Sequence, residues 1–282
     1  MPPEAKHSSC VCLSGAAWLL LIFLFAPVVS WLVKTWTVSM YDAHGALAPL
    51  LAGGMILTRR RELAALPCAS DARGLCLAGA GIMILLTALL MNFNMLGGVA
   101  LIVTLAGMIW TLCGAAVLRL LAFPLAFLLL MLPLNYPLEV VLGFRLRLLA
   151  TQVSTLFLSW VGIPVEVQGT VISTSQFSVA IESPCSGLKT LSALLLAGMT
   201  QAFFLHKRWW ERGVILLLVP PVALLVNAMR NTVIVLIGHY YGESAAMGWL
   251  HGFSGVMTFL LAMVILIVFS EVLLWRRKSA SV

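Results

Sequence analysis

The sequence predicts an all-α multi-pass membrane protein, and three observations carry that prediction. Of 282 residues, 62% are hydrophobic and only 10% charged, with a mean hydropathy of +1.07, which is more apolar surface than a soluble core can bury. The apolar residues come in runs that approach the roughly 20 needed for a helix to cross a bilayer. The basic residues fall in short clusters between those runs, where they act as topology signals. A net charge of +7 therefore points to a membrane and not to nucleic acid, because no continuous basic face with interleaved aromatics accompanies it.

The runs place about eight spans at 16–36, 43–58, 74–92, 96–117, 120–134, 186–205, 213–238 and 252–274. The first is long enough to span and lacks an evident processing site, so it is read as a span and not as a leader. No internal repeat or second domain is evident, so the whole chain, 1–282, is expected to form one membrane domain. Residues 135–182 fit no span. Their first part, "YPLEVVLGFRLRLLATQVSTLFLSWVGI", carries two arginines and scattered polar residues, which predicts a helix lying in or dipping into the interface. Their second part, "PVEVQGTVISTSQFSVAIE", alternates β-branched and polar residues around Gly169, which predicts a short hairpin. Together they are expected to roof a site before the sixth span.

Basic residues favour the cytoplasmic side. With the N-terminus inside, Lys6, Arg59, Arg60, Arg61, Arg73, Arg119, Lys207, Arg208, Arg212, Arg276, Arg277 and Lys278 all fall in the cytoplasm. Only Lys34, Arg145 and Arg147 fall outside, and Lys189 and Arg230 remain at membrane depth. Both termini are thus expected in the cytoplasm.

Within this frame three residue types stand out. Arg230, in "LLVNAMRNTVIVLIG", lies about 12 Å below the end of its helix at Gly238. Ionisable residues at such depth face a polar cavity and have a task, and Asn227 and Asn231 flank it. Cys185, in "ESPCSGLK", follows Ser183 and Pro184, which read as the N-cap and first helical position. A thiol in that first turn meets free amides and a positive dipole end that favour the thiolate and could receive an oxyanion. His251, in "GWLHGFSG", stands at the start of the last span, with His239 as its competitor. The charge-based topology puts the three on the outer ends of three different spans. A nucleophile, a cation and a titratable base there point to acyl transfer. The other cysteines, Cys10, Cys12, Cys68, Cys76 and Cys113, show neither a CxxC pair nor a disulfide spacing.

The motifs "ESPCSGL", "NAMRN" and "HGFSG", in that order, resemble those of the exosortase/archaeosortase family of membrane-embedded sorting transpeptidases. "YDAHGALAPLLAGGMILTRRREL" is similar to the family's early signature, and "GIPVEVQGTVI" to its pre-cysteine loop, so the resemblance covers about 40–270. The histidine of the third motif resembles the bacterial exosortase branch. The proline of "SPCSG" departs from the commoner "ACSG" and would mark a subfamily with a different signal.

The resemblance implies an inner-membrane enzyme that recognises a C-terminal sorting signal on exported proteins: a motif, one transmembrane helix and a basic tail. It implies cleavage near the motif and transfer to a membrane-lipid or surface-polymer acceptor, in a setting often linked to exopolysaccharide. Cys185, Arg230 and His251 take the catalytic positions. Glu182, Ser186, Gly187, Lys189, Asn227 and Asn231 are read as substrate-binding or supporting residues. Lys189 either tunes the charge of the thiol or faces the same polar cavity, and Glu182 either contacts substrate or pairs with Arg230. No cofactor or metal is expected. Two alternatives stay open: an intramembrane cysteine protease with water as acceptor, and an export component in which Arg230 is a substrate charge site.

Overall fold

The computed structural model describes residues 3–39, 42–67, 69–181 and 187–279, of which 3–14, 135, 136, 249–252 and 277–279 by backbone alone. The protein is a largely helical multi-pass membrane protein with one small sheet. Among the described residues, seven helices are long and apolar enough to cross a membrane, and two shorter apolar helices, Ala43–Thr58 and Ala115–Met131, accompany them. The chain packs as two compact units, Met1–Pro133 and Leu134–Val282.

The first unit contains α1 (Pro3–Val38), α2 (Leu47–Thr58), α3 (Arg60–Ala65), α4 (Arg73–Leu90), α5 (Asn94–Cys113) and α6 (Ala115–Phe127). Its tightest pair is α4 with α5. A Cβ at Gly74, Gly81 or Gly107 would collide with the backbone or hydroxyl of the facing helix, at Thr111, Thr104 and Ala78 respectively. Small residues permit that approach and let dispersion hold the pair, since lipid offers no hydrophobic drive between helices. α1 is anchored near its end by Trp36, whose indole N–H donates to the Met131 carbonyl at 2.9 Å. A Cβ at Gly45 would lie 2.7 Å from that indole nitrogen, so the turn at Ala43–Ala46 has room only for glycine there.

The second unit contains α7 (Asn135–Leu138), a π-helical turn at Glu139–Gly143, α8 (Phe144–Trp160), strands β1 (Glu166–Gln168), β2 (Val171–Ser173) and β3 (Ser178–Ala180), then α9 (Leu188–Leu205), α10 (Trp209–Tyr241), α11 (Glu243–Met247) and α12 (Trp249–Ser279). The expected hairpin is a three-stranded antiparallel sheet in the order β1-β2-β3. Gly169, at φ +64°, makes the β1–β2 turn, and Ile172, Phe177, Val179 and Ile181 bury the inner face. A Cβ at Gly238 of α10 would run into the Phe177 ring, so sheet and helix end are in close contact.

The segment expected in the interface is helical. Glu139–Trp160 is one helical stretch of 22 residues, long and apolar enough to cross a membrane. Ser154 donates to the Ala228 carbonyl of α10 at 3.1 Å, while Leu158 of α8 and Ile234 and Val235 of α10 join the sheet residues in one buried cluster. Both helices therefore run toward the sheet, side by side. Several of the polar residues that suggested an interface are absorbed locally: Thr151, Ser154 and Thr155 donate back to the carbonyls four residues earlier, and Arg147 pairs with Glu139, while Arg145 stays exposed. Beyond the sheet, α9, α10 and α12 form the core of the unit around Leu194, Val219, Val226 and Leu266.

Candidate active site

The three helices that carry the motifs meet at their sheet end. α9 begins after Gly187, a buried residue at φ +85° that caps the helix in the left-handed region. Glycine adopts that conformation without steric cost. A Cβ there would lie 3.2 Å from Cγ of Asn227, so the start of α9 rests on the Asn227 carboxamide. The N-cap of α9 is Gly187, whose positive φ marks the start of the helix. Glu182, Ser183, Pro184, Cys185 and Ser186 lie outside the described residues. Cys185 is two positions before Gly187, and the Gly187–Asn227 contact ties its motif to the arginine motif of α10.

On α10, Asn227 and Asn231 are completely buried, four residues apart on one helical face. Arg230 is half-buried and faces α12, where its Nε–H donates to the Ser254 hydroxyl at 2.8 Å. Thr258 binds the Ser254 carbonyl at 2.6 Å one turn on. Position 251 is one turn before Ser254 in the same helix, though only its backbone is described. Lys189 is exposed in the first turn of α9. The competitor His239 lies nine residues beyond Arg230 on α10, about 13 Å along the axis, stacked edge-on to Tyr240. It belongs to the helix end and not to this cluster.

Arg230 and Ser254 open onto a groove of about 300 Å³ between α10 and α12, otherwise lined mainly by apolar residues such as Met229, Val233, Phe253, Met257 and Leu261. A cation in so apolar a groove strengthens any charge interaction made there, since few dipoles screen it.

Sequence reasoning missed a second polar cluster at the far end of the same helices. Ser270 of α12, completely buried, shares a hydrogen bond with His206 Nε2 at 2.9 Å and accepts one from Gln201 Nε2 at 2.6 Å. His206 Nδ1 faces Glu211 at 3.4 Å, both side chains being buried. The order hydroxyl, imidazole, carboxylate is that of an acyl-transfer triad. Ser270 is nevertheless enclosed on all sides, and a nucleophile that no substrate can touch acts as a pin. Arg212 closes the cluster by donating to the His206 carbonyl at 2.9 Å and lying 5.4 Å over the Phe203 ring. The available signal was the polar residues Gln201, Glu211 and Ser270 at the edges of apolar runs. Among the described residues, no group of three or more His, Cys, Asp or Glu could hold a metal ion.

A family model described as transmembrane exosortase matches residues 36–268. No curated protein and no solved structure matches the chain.

Proposed function

Because the chain belongs to the transmembrane exosortase family, we propose that it is a cysteine transpeptidase that cleaves the C-terminal sorting signal of exported proteins and transfers them to a surface acceptor. Membership and the apolar helices make it a multi-pass inner-membrane protein of exosortase type.

One observation supports it most. The cysteine motif leans on Asn227 through Gly187, Arg230 stands one turn further along α10, and Arg230 bonds Ser254 one turn after position 251. Three segments distant in sequence thus approach one another where α9 and α12 begin alongside α10. In the proposed reaction the Cys185 thiolate attacks the scissile carbonyl, and a C–S bond forms as the oxyanion develops beside Arg230. The C–N bond breaks as His251 protonates the leaving amine, and the signal helix departs. His251 then takes a proton from the acceptor amine or hydroxyl, which attacks the thioester and releases the thiolate. Asn227, Asn231 and Gly187 hold the strands of this arrangement together, Lys189 adds positive charge at the start of α9, and Glu182 and Ser186 flank the thiol in sequence. The groove gives the substrate lateral access from the lipid, and the sheet roofs the site.

The basic residues Lys207, Arg208, Arg212 and Arg276 all belong to the far end, which supports a cytoplasmic far end and an extracytoplasmic sheet end. Replacing Cys185 by alanine should abolish processing, while a chain keeping only Cys185 should retain it. Undiminished processing by Cys185→Ala would discard the mechanism in favour of an export role. A product with a new C-terminal carboxylate and no acceptor mass would mark a protease instead.

A further inference from the structure

We infer that Ser254 is a positioning residue for Arg230, an inference that rests on the acyl-transfer reading. Arginine is useful at an oxyanion because its planar fork directs two Nη groups at one point. On a long side chain in an apolar groove that plane has many orientations, and fixing one costs side-chain entropy unless a partner holds it. The Nε–H bond to Ser254 at 2.8 Å fixes the plane from the edge opposite the fork. A hydroxyl serves here because it accepts the bond without neutralising the cation. A carboxylate at the same position would pair with Arg230 and lower its attraction for a developing negative charge.

The location supports that assignment over a packing role. Ser254 and Thr258 line the same groove as Arg230, and among the described residues the remaining lining is apolar. The Thr258 hydroxyl bond to the Ser254 carbonyl ties the turn of α12 that presents the serine. α12 also carries position 251 one turn earlier, and residues three apart share a helical stripe. Ser254 thereby couples the helix of the proposed base to the cation on α10, and sets the distance between them.

The test is a double-mutant cycle on the full-length protein in lipid nanodiscs, with a tagged substrate helix. Ser254→Ala should lower kcat about 10- to 100-fold, the scale set by a small misplacement of a catalytic group, with KM little changed. Ser254→Thr, which keeps the hydroxyl, should restore most of it. Arg230→Lys/Ser254→Ala should be no slower than Arg230→Lys alone, since lysine has no Nε to hold. The Arg230 Nε–H resonance, assigned by its loss in Arg230→Lys, should exchange faster with water in Ser254→Ala and recover in Ser254→Thr. Wild-type kcat in Ser254→Ala, or a full additive loss in the double variant, would overturn the inference. Processing that survives both Cys185→Ala and Arg230→Lys would instead overturn the acyl-transfer reading, while the Nε–H signal still reports whether Ser254 holds the guanidinium.

Discussion

The two ends of the bundle formed by α9, α10 and α12 are built from similar side chains and differ in access. At the far end, Gln201, His206, Glu211 and Ser270 are all enclosed, and Ser270 is bonded from two sides. At the sheet end, Arg230 and Ser254 are half-buried and line an open groove. Glu211 and Arg230 are 19 residues apart on α10, about 28 Å along the axis. The difference teaches that polar residues in spans divide by access: a closed network fastens helices, whereas a bonded pair facing a groove can meet a substrate.

Substitutions at each end should separate activity from stability. The largest effect belongs to the sheet end. Arg230→Lys keeps the charge but loses the fork, and the loss of one directed donor costs about 10²- to 10³-fold in rate. Processing assays on folded Arg230→Lys and Arg230→Ala should both show that loss, with substrate binding retained. Near wild-type turnover by Arg230→Lys would make Arg230 a snorkelling residue.

Next comes the far end. His206→Ala removes one of the two bonds that hold Ser270, leaving that from Gln201, and leaves Glu211 buried without its neighbour, a change expected to cost about 1–3 kcal/mol. Thermal unfolding in detergent should shift down by several degrees while turnover per folded molecule holds. A selective loss of turnover at unchanged stability would erase the distinction between the ends.

Gly187→Ala tests the joint between the cysteine and arginine motifs. It forces a side chain into the left-handed region, at about 1–2 kcal/mol, and sets a Cβ 3.2 Å from Asn227. Both melting temperature and processing should fall. Gly213→Ala is the control, because nothing lies within 4 Å of its Cβ and alanine is the better helix former.

The smallest effect is expected in the first unit. Asp71, in the turn before α4, has its carboxyl held below the usual carboxylate range, first by the Arg73 backbone N–H and then by the Trp110 indole. The folded state therefore favours the charged form. That stabilisation is present at neutral pH and is lost as pH falls through the lowered value. Melting temperature measured against pH should lose part of its acid slope in Asp71→Asn, and an unchanged slope would remove Asp71 from the account.

Much of the fold was legible because composition and run length suffice for spans. Six of the expected spans correspond to long helices, while 43–58 and 120–134 correspond to the shorter apolar ones. Glu139–Trp160 was read as interfacial because its arginines and hydroxyls look solvated in sequence; the pairing of Arg147 with Glu139 and the hydroxyl bonds to carbonyls one turn back appear only once the helix is built. The third strand escaped because nothing in "SVA" marks pairing with residues 171–173. Arg230, Asn227 and Asn231 were legible since polar residues in apolar runs need a reason. Ser254 was visible only as a letter in "HGFSG", and the far-end network joins residues 69 apart, as in Gln201 and Ser270. Periodicity does not report contacts at that range.

The central claim, that Cys185 forms the acyl bond at the sheet end, is tested most directly by trapping the intermediate. Purified protein mixed with a tagged substrate and quenched in acid should carry the substrate's N-terminal portion on Cys185. Peptide mass spectrometry should locate the adduct there, hydroxylamine should release it as expected of a thioester, and Cys185→Ala should show none. Processing that proceeds with no adduct at position 185, or an adduct that maps to Ser270 at the far end, would contradict the account.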